Sequence, residues 1–228
     1  LVELMNGTCG VESELGVGAR FWFTARIFPN TLLTVALVCG LVYLGSQAAR
    51  SAHESVWLMR ADRSKADSDA QIAALKNAFS VDPKNFETAR TLGEAFRAKS
   101  WPFNDGYQED AQEAMKWFQR AIALNPYDDS SYLRYGMCLD HLDQHAEAFP
   151  YFDRANRMDP NSYFNTAYMG WHYAQIGDYA AAREWLVRSH TLEWQNNPVA
   201  DTYLKVAEDN MLEIATNDLA SQLRSRPP

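Results

Sequence analysis

Residues 129–160 read DSSYLRYGMCLDHLDQHAEAFPYFDRANRMDP. The stretch divides into two short amphipathic helices with a turn around Leu142–Gln144. Large residues (Tyr132, Tyr135, Leu139) line the first helix. Small ones (Gly136, Ala148, Ala155) stand where two helices must come close, and Phe152 fills the gap between them. Pro160 ends the second helix, because the residue before a proline disfavours the α region.

The pattern recurs. Gly136 returns as Gly170 and Ala148 as Ala182, each 34 residues on, and Pro126 precedes Pro160 by the same step. Phe118, Phe152 and Leu186 form a third row, and Ala121, Ala155 and Ser189 a fourth. Upstream, Gly93 lies 43 residues before Gly136 and Pro83 lies 43 before Pro126, one period plus nine. The surplus falls between a helix at Thr88–Ala98 and one at Gln112–Leu124, in the segment KSWPFNDGYQED. An insertion there lands on one face of a stacked array and leaves the stack intact.

These rows resemble the tetratricopeptide repeat (TPR), a helix–turn–helix unit with a period of about 34 residues. One helix pair cannot bury its own apolar face, so about three are needed. Three units match: Phe86–Pro126, Asp129–Pro160, and Tyr163 to about Asn197. A degenerate unit, Ala52–Pro83, keeps Leu58, Leu75, Ala78 and Pro83 but has Met59 where the others have glycine. Beyond Asn197-Pro198, Val199, Tyr203, Val206, Met211 and Ile214 recur at helical spacing, with Asp201, Glu208, Asp209 and Glu213 facing away. This predicts a polar-backed capping helix.

Composition narrows the function classes. The 228 residues carry a formal net charge of −8, which lacks the basic footprint of a nucleic-acid binder. Seven Trp and eleven Tyr are expected mostly as core wedges. Three scattered cysteines, Cys9, Cys39 and Cys138, offer no CxxC spacing and no evident pairing. His141 and His145 stand four apart but straddle a turn, which breaks metal-ligand geometry and predicts solvated turn residues. HESVW at His53 lacks the second histidine of a zinc protease motif. No nucleophilic triad, phosphate loop or dinucleotide fingerprint occurs, so no catalytic, cofactor-binding or metal residue is assigned and the chain does not read as an enzyme.

Two further segments precede the repeats. Residues 1–27, LVELMNGTCGVESELGVGARFWFTARI, predict a helix end at Leu1–Met5, then strands at Thr8–Ser13 and Ala19–Ile27 around a Gly16-Val17-Gly18 turn. LVELM, GVES and the Phe-Trp-Phe strand resemble the C-terminal end of the ATP-binding domain of bacterial sensor histidine kinases. That family's nucleotide boxes and phosphoacceptor histidine lie upstream of the matching segment, so no ATP-contacting residue is carried over. The start at Leu1 rather than Met predicts a truncated chain or a joined one, and a hairpin without its sheet is marginal in water.

Residues 27–49, IFPNTLLTVALVCGLVYLGSQAA, contain no charge. As a helix they would span about 35 Å against a hydrocarbon core of about 30 Å, which predicts a transmembrane helix over 28–49. Ser46-Gln47-Ala48 leaves a cleaved signal sequence as the alternative, and a buried soluble helix is the third option. Arg50, Arg60, Arg63 and Lys65 follow the span, whereas Arg20 and Arg26 precede it. This small margin leaves the side of the repeats open. The order of uncharged span, ARSAHESVWLMRAD and repeats resembles the C-terminal region of bacterial O-antigen-ligase-like membrane proteins, whose membrane core and catalytic loops are absent here. These resemblances imply a bacterial inner-membrane location.

The expected architecture is therefore an all-α TPR solenoid over 50–228, with a capping helix, a membrane helix and an N-terminal hairpin remnant. The expected function is a membrane-anchored module for protein–protein interaction or scaffolding. The alternatives are the C-terminal part of an O-antigen-ligase-like glycan transferase and a remnant of a sensor histidine kinase. By register, the groove for a protein or peptide partner is lined by Arg90, Glu94 and Arg97, then Met137, Asp140 and His141, then Phe164, Trp171 and Gln175. Exposed aromatics beside arginine are the chemistry of interface hot spots. Trp101, Phe103 and Tyr107 of the insertion are expected to form a hydrophobic plug on the neighbouring repeat.

Overall fold

The computed structural model describes residues 8–14, 18–24 and 31–225. The chain divides into two compact units, Leu1–Ser51 and Ala52–Pro228. In the first, β1 (Thr8–Glu14) pairs antiparallel with β2 (Gly18–Thr24), with Thr8 opposite Thr24 and Val11 opposite Phe21. The expected helix end at Leu1–Met5 and the turn residues Gly16 and Val17 lie outside the described residues.

Helix α1 (Thr31–Arg63) continues from the uncharged segment into the first repeat without a break at residue 50. No proline occurs within it, and its glycines (Gly40, Gly45) have no neighbour that would notice a side chain. Among the described residues eight further helices follow: α2 (Asp69–Val81), α3 (Phe86–Ser100), α4 (Tyr107–Leu124), α5 (Asp129–His141), α6 (His145–Met158), α7 (Tyr163–Gln175), α8 (Tyr179–Leu192) and α9 (Pro198–Ser225). Polar side chains start most of them. Ser68, Asn85, Asp128, Ser162 and Asp178 each accept a hydrogen bond from a backbone N–H in the first turn, satisfying donors that the helix cannot.

The period seen in the sequence is a contact in space. A Cβ placed on Gly93 would lie 2.7 Å from the Phe118 ring, and one on Gly136 would lie 3.1 Å from Phe152. One on Gly170 would lie 2.6 Å from Leu186 Cγ and 3.1 Å from the Ala182 carbonyl oxygen. At Gly93 and Gly170 a side chain would collide with the wedge, and at Gly136 it would press on it, so the backbones of α3, α5 and α7 come close to the wedges carried by α4, α6 and α8. Ala114, Ala148, Ala182, Ala121, Ala155 and Ser189, together with the wedges themselves, are completely buried.

The first unit is built more loosely, for a legible reason. Met59 stands at the glycine row and Gln71 at the alanine row, so neither helix offers a small surface. Met59 stays half exposed, and an open pocket of about 340 Å³ remains among Leu58, Met59, Ala61, Asp62, Gln71, Leu75 and Thr91. Ala61, Trp57 and Leu58 still pack on the core, and a polar joint reinforces them. The buried Glu54 carboxylate accepts from Asn85 Nδ2 at 2.7 Å and from Thr88 Oγ1 at 3.0 Å.

Most of the insertion becomes helix. α3 has 15 residues against 13 in α5, and α4 has 18 against 14 in α6, leaving a loop of residues 101–106. The capping helix departs from expectation. Ala200, Tyr203, Leu204 and Ala207 pack on the last repeat, whereas Val206, Met211 and Ile214 are exposed. α9 is 28 residues long against 13 for α7, so its second half outruns the helices that could cover it.

The wedge geometry orders three substitutions. Gly170→Ala and Ala148→Leu overpack closed crossings and should each cost about 1–3 kcal/mol. Gly136→Ala should be close to neutral, because its milder contact is offset by a helix-propensity gain of about 1 kcal/mol. Thermal melts of the three variants beside the parent check the ranking.

Candidate functional site: the inner face of the solenoid

Helices α3, α5, α7 and α9 touch in succession along the stack, whereas α4, α6 and α8 make no comparable contact with one another among the described residues. The first set therefore forms the inner face, and its side chains are the candidates for binding.

At its centre lies an ion cluster. Arg97 donates to Glu94 through Nη2 at 2.6 Å and Nε at 3.0 Å, and Arg134 Nε donates to the same carboxylate at 2.9 Å. Burial pushes the Glu94 carboxyl up, but the hydrogen bonds and charges of Arg97 and Arg134 outweigh it and hold the group below the usual glutamate range. Two guanidiniums on one carboxylate leave the cluster one positive charge in excess. Aromatic rings frame it, with Arg134 5.7 Å from the Phe164 ring centre and Arg97 5.6 Å from that of Trp101. Beside them a pocket of about 300 Å³ is lined by Arg97, Ala98, Trp101, Met137 and Tyr168. Cys138 lies beneath, its thiol pushed up to about 12 by burial, and so is an inert packing group.

The structure gathers Glu94, Arg97, Met137 and Phe164 at this site. The other expected groove residues are placed differently. Arg90 turns to α5, where its Nη1 donates to Asp128 Oδ1 at 2.8 Å, so it joins two repeats. Gln175 is exposed at the far end of α7. Met137, Asp140, His141 and Trp171 are buried at 2%, 4%, 8% and 4% exposure. Met137 still borders the pocket, but the expectation of exposed groove side chains is corrected for all four.

The causes are specific. Asp140 accepts from His172 Nδ1 at 2.8 Å and from His145 Nδ1 at 2.9 Å, a joint between α5, α6 and α7. His141 is not a solvated turn residue. It stacks on Trp101 (5.2 Å between ring centres), meets Phe103 and Tyr107 at 4.2 and 5.4 Å, and donates from Nε2 to the Ser100 carbonyl at 3.1 Å. The insertion thus caps the end of α5, as a plug would, with Trp101 and Phe103 themselves partly exposed. Trp171 sits among Phe152, Tyr168, Trp101 and Tyr203. Among the described residues, no group of three or more His, Cys, Asp or Glu is placed to hold a metal ion.

The sequence reading passed over Arg134 and Tyr168. They are 34 residues apart, so the arithmetic that found the glycine row could have found this row too.

Residues 117–149, spanning the end of α4, all of α5 and the start of α6, match the sequence pattern of the tetratricopeptide repeat family. No curated protein matches the chain. Among solved structures, the chain is similar to TTC0263, a thermophilic TPR protein of Thermus thermophilus. The two are 14% identical over 63% of this chain and 73% of that one, with a TM-score of 0.56. It is also similar to an O-GlcNAc transferase of Thermobaculum terrenum, at 17% identity over 62% of this chain and 26% of that one, with a TM-score of 0.50. At such identities the likeness shows the fold alone.

Two expectations follow. Trp171→Ala empties a packed site and should cost about 3–5 kcal/mol, a loss read in a thermal melt. Glu94 has a lowered folded-state pKa, so its contribution is fully present above the ordinary glutamate range and is lost as pH falls through the lowered value. In acid titrations of stability, Glu94→Gln should remove that part of the pH dependence. The chain carries a tetratricopeptide repeat, and its fold is a TPR-like helical solenoid.

Proposed function

We propose that this chain is a membrane-anchored TPR module that binds a protein or peptide partner on the inner face of its solenoid. The observation that carries the reading is the Glu94–Arg97–Arg134 cluster beside the open pocket at Trp101, Met137 and Tyr168. The excess positive charge and the framing rings fit a segment that presents an acidic group next to an apolar side chain. A TPR-like fold supports interaction rather than catalysis.

The anchor rests on α1. Among the described residues, Leu33–Arg63 contains the stretch that is long and apolar enough to cross a membrane, by length and composition. Leu33, Val35, Leu37, Val38, Leu41, Val42, Tyr43 and Leu44 are all exposed in the folded chain. A buried soluble helix would have covered them. A signal sequence would satisfy the same composition.

A second reading, the C-terminal part of an O-antigen-ligase-like membrane protein, is favoured by the continuity of α1 from the apolar segment into the first repeat. It gives this segment the same anchoring role.

The full chain should stay with membranes through a carbonate wash, whereas a chain beginning at Ala52 should fractionate as soluble and mostly helical. Release of the full chain by carbonate would defeat the anchor. Retention of the shorter chain would place the membrane affinity elsewhere.

A further inference from the structure

The second half of α9 has the chemistry that the inner face lacks. From residue 206 to 223 it carries Glu208, Asp209, Glu213 and Asp218, and no Lys or Arg. Glu208 is held by Arg183 Nε at 3.3 Å. Asp209, Leu212 and Glu213 follow at i, i+3 and i+4, the spacing that sets three side chains on one side of a helix. All three are exposed, Leu212 to 68%. Ala200, Tyr203, Leu204 and Ala207 pack on the last repeat. At 3.6 residues per turn, that packing leaves Asp209, Leu212 and Glu213 turned away from the repeat. They therefore cannot reach the inner face of their own chain.

The inner face is complementary to this segment. Arg97 and Arg134 share the one carboxylate of Glu94, and their side chains remain 17% and 24% exposed. Next to them, the pocket of about 300 Å³ is walled by Trp101, Met137 and Tyr168. Two copies of the α9 segment set against each other would bring like charges together, which disfavours a symmetric pairing. The same segment set on the inner face brings carboxylate to guanidinium and leucine to aromatic rings.

We propose that the partner held on the inner face is a second copy of this chain, which presents Asp209, Leu212 and Glu213 of its α9. Leu212 enters the pocket, and the two carboxylates lie along Arg97 and Arg134. The inference rests on the reading of the inner face as the binding surface, and it names the occupant. Each copy offers both surfaces and the two surfaces differ, so the contact runs head to tail and can repeat from one copy to the next.

The test uses two full-length copies expressed in one cell. One carries a benzophenone amino acid at Phe164, beside Arg134, and the other carries an affinity tag. Illumination should give a product that contains both copies. Its yield should fall several-fold when the tagged copy carries Asp209→Lys with Glu213→Lys. It should stay unchanged when the tagged copy instead carries Glu147→Lys with Glu184→Lys, an equal change of charge at exposed positions on α6 and α8. A two-copy product that ignores the α9 change, or that falls equally with the α6 and α8 change, overturns the inference. A product that joins the inner face only to a different protein also overturns it, but leaves the inner-face reading standing. No product at all overturns both.

Discussion

Everything in the repeat region follows from one close approach. Where Gly93, Gly136 and Gly170 face Phe118, Phe152 and Leu186, the first helix of each hairpin comes so near the wedge that a side chain would collide with it at Gly93 and Gly170 and press on it at Gly136. The wedge then fills the space completely, which is what interiors at crystal-like density require. Because each wedge must meet the helix before it at the same height, a fixed residue spacing in sequence becomes a fixed geometry in space. The first unit is the control within the molecule. With Met59 and Gln71 in the small-residue rows, a pocket opens where the other units are closed.

Packing within hairpins does not join one hairpin to the next. Apolar contacts such as Phe79 on Trp117 and Phe152 on Trp171 do so, together with polar groups near the helix starts: Glu54 with Asn85 and Thr88, Arg90 with Asp128, and Asp129 with Asn165. Asn197 continues the series through Ser189 to the Tyr163 carbonyl. Each is satisfied, so burial carries no unpaired penalty. Losing one partner would leave the other stranded. The same arrangement consumes Arg90 and Asp140, which by position alone would face a ligand. At the centre of the inner face, Glu94 holds two arginines and the rings of Trp101, Phe164 and Tyr168 stand around them.

The rows of glycine, alanine and wedge residues were legible because they depend only on spacing. The hairpin strands were legible from turn chemistry and alternation. The burial of the groove was not. Whether Asp140, His141 and Trp171 face solvent depends on how far one repeat rotates on the next and on where the insertion folds, and neither is encoded in a 34-residue period. Trp101 and Phe103 could be read as a plug, but His141 as its seat could not, since the contact crosses from one repeat to another. The exposed half of α9 reflects length: the amphipathic pattern was present, but α7 and α8 end before they can use it. Arg134 and Tyr168 carry the repeat spacing too, but in a row where no backbones approach, so nothing about the fold singles them out.

The central claim is that a membrane-held solenoid binds its partner on the inner face. Photo-cross-linking in intact membranes addresses it most directly, with a benzophenone amino acid placed in turn at Phe164 and Tyr168 on the inner face and at Arg120 and Arg154 on the outer helices. The account predicts a discrete cross-linked product from the membrane fraction at the inner positions, weakened when Arg97 is replaced by Glu, and none at the outer positions. Equal products from both faces, or products indifferent to Arg97→Glu, would contradict it.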